Sequence, residues 1–346
     1  MVKVGVIGCG KIAITRHLPE YASNPDAEIA GVYDFNLERA KEVAEQYQTR
    51  AYESVEEMLN DPQIEAVSVC VRNSDHSKVT VDALRAGKHV LCEKPMAVSL
   101  DECKEMVKTA EKTGKKLMIG HNQRFNRTHM KAKELIQSGA IGKVLSFKTT
   151  FGHGGPETWT VDKKNVWFFD KRFSAFGAMA DLGVHKTDLL IFLLETEVKK
   201  VTAVLKTLDK KDAEGNLINV DDNAICIYEM ENGAVGTMTA SWTYYGEEDN
   251  STIIYGSEGI LKIYDDPNYS IVRIGKDGTK IYYELDKMQT NDNQTKSGII
   301  DSWVAAIKND TVPEVNGKDA LDAMKAIFAA LESSESGQTV EITEED

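Results

Sequence analysis

The stretch VIGCGKIA, Val6–Ala13, constrains the fold more than any other in the chain. An apolar run that reads as a buried strand is cut at Gly8 and Gly10 and then resumes as a helix. Glycine interrupts a strand for a turn, a bulge or the close approach of another group to the backbone. The order strand, Gly8-x-Gly10-x-x-Ala13, helix fits close approach. The first glycine makes the tight turn, the second leaves room beside the main chain for a pyrophosphate, and the small third residue lets the helix close on the sheet. Main-chain N–H groups and the positive end of the helix dipole then face the phosphates. So short a motif recurs by chance, and its placement between strand and helix is what gives it weight. Asp34 closes the second strand in GVYDFN, 24 positions after Gly10. A carboxylate there binds both hydroxyls of an adenosine ribose and repels a 2′-phosphate, and Phe35 and Asn36 follow it rather than an arginine. NAD is expected ahead of NADP; the bland alternative is a solvated turn aspartate.

The first third of the chain alternates apolar strands (KVGVIG, AEIAGVYD, EAVSVCV, KHVLCE, KLMIGH) with amphipathic helices such as Leu100 to Thr113. Strands apolar throughout and separated by helices predict a parallel sheet covered on both faces. After residue 122 the pattern changes to alternating runs such as KVLSFKTTF, KKVTAVLKTL, AICIYEM and VGTMTASWTYY. Asn232-Gly233 predicts a type I′ hairpin between two of them, and KDG at Lys276 to Gly278 a second tight turn. A final helix is expected over ALDAMKAIFAALESS. The predicted architecture is α/β: a dinucleotide-binding Rossmann domain over 1–121, then an α+β domain over 122–346 with a large, mostly antiparallel open sheet for substrate binding and oligomerisation.

Two further stretches carry chemistry. AGKHVLCEKPMA ends a strand with Glu93-Lys94-Pro95, at the carboxyl edge where ligands bind in parallel sheets. Pro95 fixes the turn, through a cis or a trans bond. Beside a nicotinamide, Lys94 can hold a substrate hydroxyl and lower its pKa; an ordinary surface lysine is the alternative. In GAMADLGVHKTDLL, Asp181, His185 and Asp188 are spaced i, i+4, i+7, one face of an α-helix. A histidine with a carboxylate one turn away is a proton acceptor for alcohol oxidation, or else part of a polar helix face.

A net charge of −14 disfavours nucleic acid or an anionic membrane as the main partner. The longest apolar run, LLIFLL, falls far short of a bilayer span. The five cysteines lack C-x-x-C spacing and read as buried thiols, which predicts a reducing cytoplasm. The histidines are scattered, so no metal is expected, and His17 and His89 read as structural or surface residues.

Taken together, GCGKIA, NSDHSKVTVDALRAGKHVLCEKPMA, QRFNRTHMKAKELIQSGAIGKV, GAMADLGVHKTDLL and ALESSESGQTV resemble the glucose-fructose oxidoreductase/inositol dehydrogenase (Gfo/Idh/MocA) family across nearly the whole chain. The resemblance implies NAD-dependent hydride transfer from a secondary alcohol of a sugar, cyclitol or polyol. Lys94 would orient substrate, His185 exchange the hydroxyl proton, and Asp181 help bind and orient. The cofactor set it implies is Gly8, Gly10, Lys11, Ile12, Asp34, Asn73, His76, Glu93, Lys94 and Arg124. Substrate contacts would come from Lys94, Arg124, Asp181 and His185, with specificity placed in the loop from Phe151 to Gly177, which offers His153, Trp159 and Trp167. Aromatic faces in such a loop equally suit a subunit contact. Tyr244 is a further candidate for the pocket, whereas Trp242 reads as core. The family also implies a homodimer or homotetramer built through the C-terminal sheet. One departure stands out: Val71-Arg72 replaces the usual small residue and proline before Asn73. Two other functions fit the scaffold, a non-catalytic NAD- and sugar-binding regulator and an enzyme that recycles NAD during epimerisation or glycosidic cleavage.

Overall fold

The computed structural model describes residues 1–161, 166–287 and 296–343. The chain forms two compact units, Met1–Asn122 with Trp159–Asp162 and Gln294–Leu321, and Gln123–Thr158 with Lys163–Asn293 and Asp322–Asp346. A division at 121/122 therefore misplaces the segment 294–321, which belongs with the first unit.

In the first unit, strands β1 (Val2–Ile7), β2 (Ala27–Tyr33), β3 (Arg50–Ala51), β4 (Ala66–Val69), β5 (His89–Cys92) and β6 (Leu117–Ile119) form one parallel sheet. Their order, β3-β2-β1-β4-β5-β6, is the doubly wound Rossmann order. Helices α1 (Leu18–Ser23), α2 (Leu37–Tyr47), α3 (Val55–Asn60), α4 (Asn73–Arg85) and α5 (Leu100–Thr113) supply the crossovers. Asn36, Ser54 and Ser99 cap α2, α3 and α5 with side-chain oxygens, so the turn chemistry agrees with the apolar periodicity. The register aligns the strand ends: Ile7 lies opposite Tyr33 and Val69, Val69 opposite Cys92, and Cys92 opposite Ile119. Gly8, Asp34, Cys70, Glu93 and Gly120 thus emerge along one carboxyl edge, and the strand order reverses between β1 and β4.

The second unit holds strands β7 (Val144–Gly152), β8 (Val198–Lys206), β9 (Asn223–Met230), β10 (Val235–Ser241), β11 (Thr252–Gly256), β12 (Gly259–Ile263), β13 (Ile271–Gly275), β14 (Lys280–Tyr283) and β15 (Val340–Glu341). They form a sheet in the order β14-β13-β12-β11-β7-β10-β9-β8-β15, antiparallel except for the β7–β10 pair. Helices α6 (Arg127–Gln137), α7 (Lys171–Ser174) and α8 (Val184–Leu194) belong to this unit. The chain then forms α9 (Ile299–Lys308) and α10 (Gly317–Ser336). The β9–β10 turn differs from the type I′ expectation. Gly233 alone has positive φ, at 85°, Gly233 N–H donates to Met230 O and Met230 N–H to Ala234 O. This is a three-residue loop closed by a glycine bulge, with the Asn232 side chain accepting from Ala234 N. Gly278 of KDG, φ 83°, repeats the arrangement between β13 and β14.

Candidate active site

At the carboxyl edge of the parallel sheet, Gly8 has φ 97°, and a Cβ there would lie 2.4 Å from Cys70 O, so only glycine makes this turn. A Cβ on Gly10 would meet nothing within 4 Å, which leaves the open space a pyrophosphate needs. Ala13 is fully buried against the sheet. Lys11 and Ile12, both half-buried, follow the loop as the first helical residues. The helix continues through a wide π turn, Ala13–His17, before α1.

Asp34 is buried, which excludes the solvated-turn alternative. Its Oδ2 accepts from Cys9 N at 2.8 Å and its Oδ1 from Asn36 N at 2.8 Å, so it braces the glycine loop as well as closing β2. Each oxygen keeps lone-pair capacity for ribose hydroxyls. Arg39, which a search of the residues directly after Asp34 overlooks, stands with Nη1 3.5 Å from Oδ1 and its guanidinium 6.0 Å from the Phe35 ring.

Asn73 opens α4 and is buried. Its neighbour Arg72 pairs with Asp75, the local consequence of the Val71-Arg72 departure. The ring nitrogens of buried His76 face main-chain oxygens, Nδ1 to Pro95 at 2.7 Å and Nε2 to Val71 at 3.2 Å. Burial lowers its pKa, and its visible work is to tie the loop after β4 to the Glu93-Lys94-Pro95 turn. That turn contains a cis Lys94–Pro95 bond. Lys94 is half-buried, and its N–H donates to Glu93 Oε2 at 3.2 Å.

In the second unit, Met179–Gly183 forms another π turn, which runs directly into α8. Asp181, His185 and Asp188 all lie on this continuous, buried helix. Their partners differ. Asp181 Oδ2 accepts from Trp242 Nε1 at 3.1 Å. Asp188 takes a two-pronged bond from Arg124, Nε at 2.9 Å and Nη2 at 2.6 Å, both groups buried. Such a fork is the strongest geometry available to an ion pair. The His185 ring lies 6.0 Å from Phe151, and His153 packs edge-on to the same ring at 5.9 Å. His153 Nδ1 accepts from Gly155 N, leaving Nε2 to carry the hydrogen of a neutral ring.

One residue holds the front of this helix. Asp221 accepts Gly177 N and Met179 N through its carboxylate and Ala178 N through its main-chain oxygen. Burial raises its pKa to about 6 against the pull of those N–H groups. A Cβ on Gly177 would sit 1.8 Å from Asp221 O, so the clamp demands glycine. Trp167 stacks on Phe168 at 3.8 Å, and Phe168 and Phe169 flank Trp242. Residues 162–165 of the specificity loop lie outside the described residues, and Trp159 falls in the first unit. Tyr244, half-buried, covers Gly152, where a Cβ would lie 2.2 Å from its ring. Trp242 is core, as its sequence context suggests, but it is also the donor to Asp181, and its position in the chain gives no local signal of that. All five cysteines are free and buried. Among the described residues no three His, Cys, Asp or Glu side chains are grouped to hold a metal, and no helix is long and apolar enough to cross a membrane.

A Rossmann sheet with this glycine loop, joined to a second unit presenting a buried carboxylate–histidine helix, defines the class of nicotinamide-dependent oxidoreductases. Residues 2–121 match the oxidoreductase family with an NAD-binding Rossmann fold, and residues 129–262 match the GFO/IDH/MocA C-terminal domain. The chain belongs to the GFO/IDH/MocA family. It is 26% identical to the myo-inositol 2-dehydrogenase of Thermotoga maritima over 99% of both chains. It is 32% identical to the glucose-6-phosphate 3-dehydrogenase of Bacillus subtilis over 67% of this chain and 65% of that one. A levoglucosan dehydrogenase solved with NADH and levoglucosan superposes with a TM-score of 0.86, at 24% identity, over 99% of this chain and all of that one. NAD is the cofactor, and the protein is an oxidoreductase.

Proposed function

We propose that the chain oxidises a secondary hydroxyl of a sugar, cyclitol or related polyol, reversibly, in the cytoplasm and as a homo-oligomer. The observation that carries the reading is Asp181, buried and fixed by the Trp242 indole, one turn before His185 on a helix clamped by Asp221. NAD, when bound at Gly8, Gly10 and Asp34, supplies the hydride acceptor. His185 takes the hydroxyl proton, Asp181 orients the substrate and its imidazole partner, and the Lys94 ammonium stabilises the developing alkoxide. Arg124 contributes by fixing Asp188, and with it the exit of the catalytic helix turn, which supports a positioning part more directly than a cofactor contact. Relatives named for inositol, glucoside and levoglucosan oxidation support the substrate class. The joint presence of Lys94, Asp181 and His185 weighs against a non-catalytic regulator, and relatives named as dehydrogenases weigh against cofactor recycling.

The test is NADH formation across a panel of myo-inositol, scyllo-inositol, glucose, methyl glucosides and levoglucosan. His185→Ala should keep NADH affinity and lose turnover by roughly 10²–10⁴, the worth of a general base. Lys94→Ala should lose both turnover and substrate affinity. Full turnover in His185→Ala, or a Lys94→Ala defect confined to melting temperature, removes the respective residue from its role.

A further inference from the structure

His17, one of the residues read from sequence as merely structural or surface, sits fully buried at the end of the first π turn. Its Nε2 lies 2.8 Å from Glu93 Oε1 and its Nδ1 3.1 Å from Ser68 Oγ, which in turn lies 2.8 Å from Tyr21 OH. Tyr21, Ser68, His17 and Glu93 are exposed by 1%, 0%, 0% and 4%, so water does not compete for these bonds. An ionised carboxylate carries no hydrogen, so the 2.8 Å contact requires the hydrogen on Nε2, in the Nε2–H tautomer or the protonated ring, and Nε2–H donates to Glu93. The two hydroxyls can each give or accept and adapt to either choice.

The other side of the carboxylate is equally confined. Glu93 Oε2 accepts Lys94 N–H at 3.2 Å, and a Cβ on Gly120 would come within 2.9 Å of Oε2 and 3.1 Å of Oε1. Burial pushes the Glu93 carboxyl up, but the His17 bond and the charges of His17, Arg16 and Lys94 outweigh it and hold the group near 2. A carboxylate gripped on one oxygen by a side chain from the helix after the glycine loop, and on the other by the main chain of the lysine turn, links the two cofactor-binding segments of the sheet edge.

We propose that His17 is a positioning residue: its Nε2–H fixes the Glu93 carboxylate, and through it the Glu93-Lys94-Pro95 turn, in the orientation that binds the nicotinamide cofactor. The proposal rests on the reading of Lys94 given above and adds the element that holds its turn in place.

The test compares His17→Gln with His17→Asn. The Gln amide nitrogen occupies the place of Nε2 and can still donate to Glu93, whereas the Asn amide nitrogen falls at the place of Nδ1 and cannot reach. Both variants lose the same ring, so a purely structural role lowers their melting temperatures alike and leaves their cofactor binding alike. The readout is NADH fluorescence titration of the purified protein, which needs no substrate. His17→Asn and His17→Ala should raise the NADH dissociation constant about tenfold, the effect of leaving a buried charged acceptor unmatched, while His17→Gln stays within about threefold of wild type. Should His17→Asn fail to fold, Ser68→Ala, which frees the ring at Nδ1, should raise the constant in the same direction by a smaller factor. Equal NADH binding by the Gln and Asn variants, or unchanged binding in Ser68→Ala where the Asn variant does not fold, overturns the proposal. Lys94→Ala separates the two levels: if it leaves NADH binding and turnover intact, the reading of the lysine turn is what fails; if it impairs them while His17→Asn does not, only the inference about His17 fails.

Discussion

A buried polar side chain declares its role through the partner it finds, and the informative partners here are remote in sequence. Trp242 reaches Asp181 across 61 positions and His17 reaches Glu93 across 76. Sequence context marks Trp242 as core but leaves His17 as structural or surface, and the structure buries both completely. That context carries no trace of which carboxylate will accept the ring N–H, because that depends on how sheet and helix stack. Gly8, Gly10, Asp34 and the Lys94 turn were legible because their chemistry is local: a positive φ, an open space, a strand end. A residue-scale prediction follows from the indole bond. Trp242→Phe keeps an aromatic body between Phe168 and Phe169 but removes the donor to Asp181. A hydrogen bond to a charged acceptor contributes about 1.5–3 kcal/mol, so kcat/KM for the best polyol of the panel should fall roughly tenfold or more. NADH affinity, measured in the same preparation, should hold. Wild-type kcat/KM in Trp242→Phe would show that the indole contributes packing alone.

At the scale of elements, long periodic segments were readable and irregular turns were not. Helix α5 runs over Leu100–Thr113 as its apolar spacing predicts, with Ser99 as cap and Gly114 in the left-handed conformation at its end. The two π turns, Ala13–His17 and Met179–Gly183, leave the 3.6-residue period that such reading assumes, and each contains a residue given a role, His17 in the first and Asp181 in the second. An i, i+4, i+7 stripe is therefore an incomplete guide to the helix of Asp181, His185 and Asp188, where a wide turn changes the angle per residue. That helix also carries Lys186, fully buried, with Nζ donating to Asn250 O at 2.8 Å and to Thr252 Oγ1 at 3.3 Å. Burial lowers its pKa from 10.5 to about 7, against the opposing pull of Asp249 and Glu248. Because the folded value lies below the unfolded one, the unfolded chain holds the extra proton between about pH 7 and pH 10.5. Lys186 thus contributes stability that is full above the unfolded value and lost as pH falls through about 7. Lys186→Met removes that dependence. Its melting temperature relative to wild type should be most favourable near pH 7 and decline steadily toward pH 10, with other titrating groups cancelling in the difference. A difference that stays flat with pH would show that the buried ammonium keeps its ordinary proton affinity.

At the scale of the whole molecule, the change from parallel α/β to antiparallel sheet near residue 122 was readable from strand pattern, while the return of the chain to the first unit was not. The run IIDSWVAAIK, which forms α9, carries no local signal of which sheet receives it. In the structure α9 buries Ile300, Trp303 and Val304, and polar bonds tie it to the first unit: Glu20 Oε1 accepts both Ser297 N and Ser297 Oγ, and Asn24 Nδ2 donates to Asp301. The large sheet of the second unit poses a different question. Along β9 burial alternates strictly, with Cys226 and Tyr228 fully covered while Ile225 and Ile227 are 57% and 54% exposed. Val204 of β8 lies opposite Ile225 and is 54% exposed, and Val235 of β10 adds to the same open face. Branched apolar side chains clustered on one face of a sheet, with its other face forming the core, mark a surface that water covers at a cost. We propose that a second copy of the chain covers it. Isologous contacts of this kind close as dimers, and pairs of dimers as tetramers. Light scattering during size exclusion should give a dimer or tetramer for the wild type. Ile225→Glu with Ile227→Glu, both at exposed positions, should shift the mass toward the monomer while leaving the melting temperature of the monomeric fold and NADH binding largely intact. A wild-type protein that elutes as a monomer at micromolar concentration, or a double variant that keeps the wild-type mass, would assign this face to solvent or the assembly to another surface.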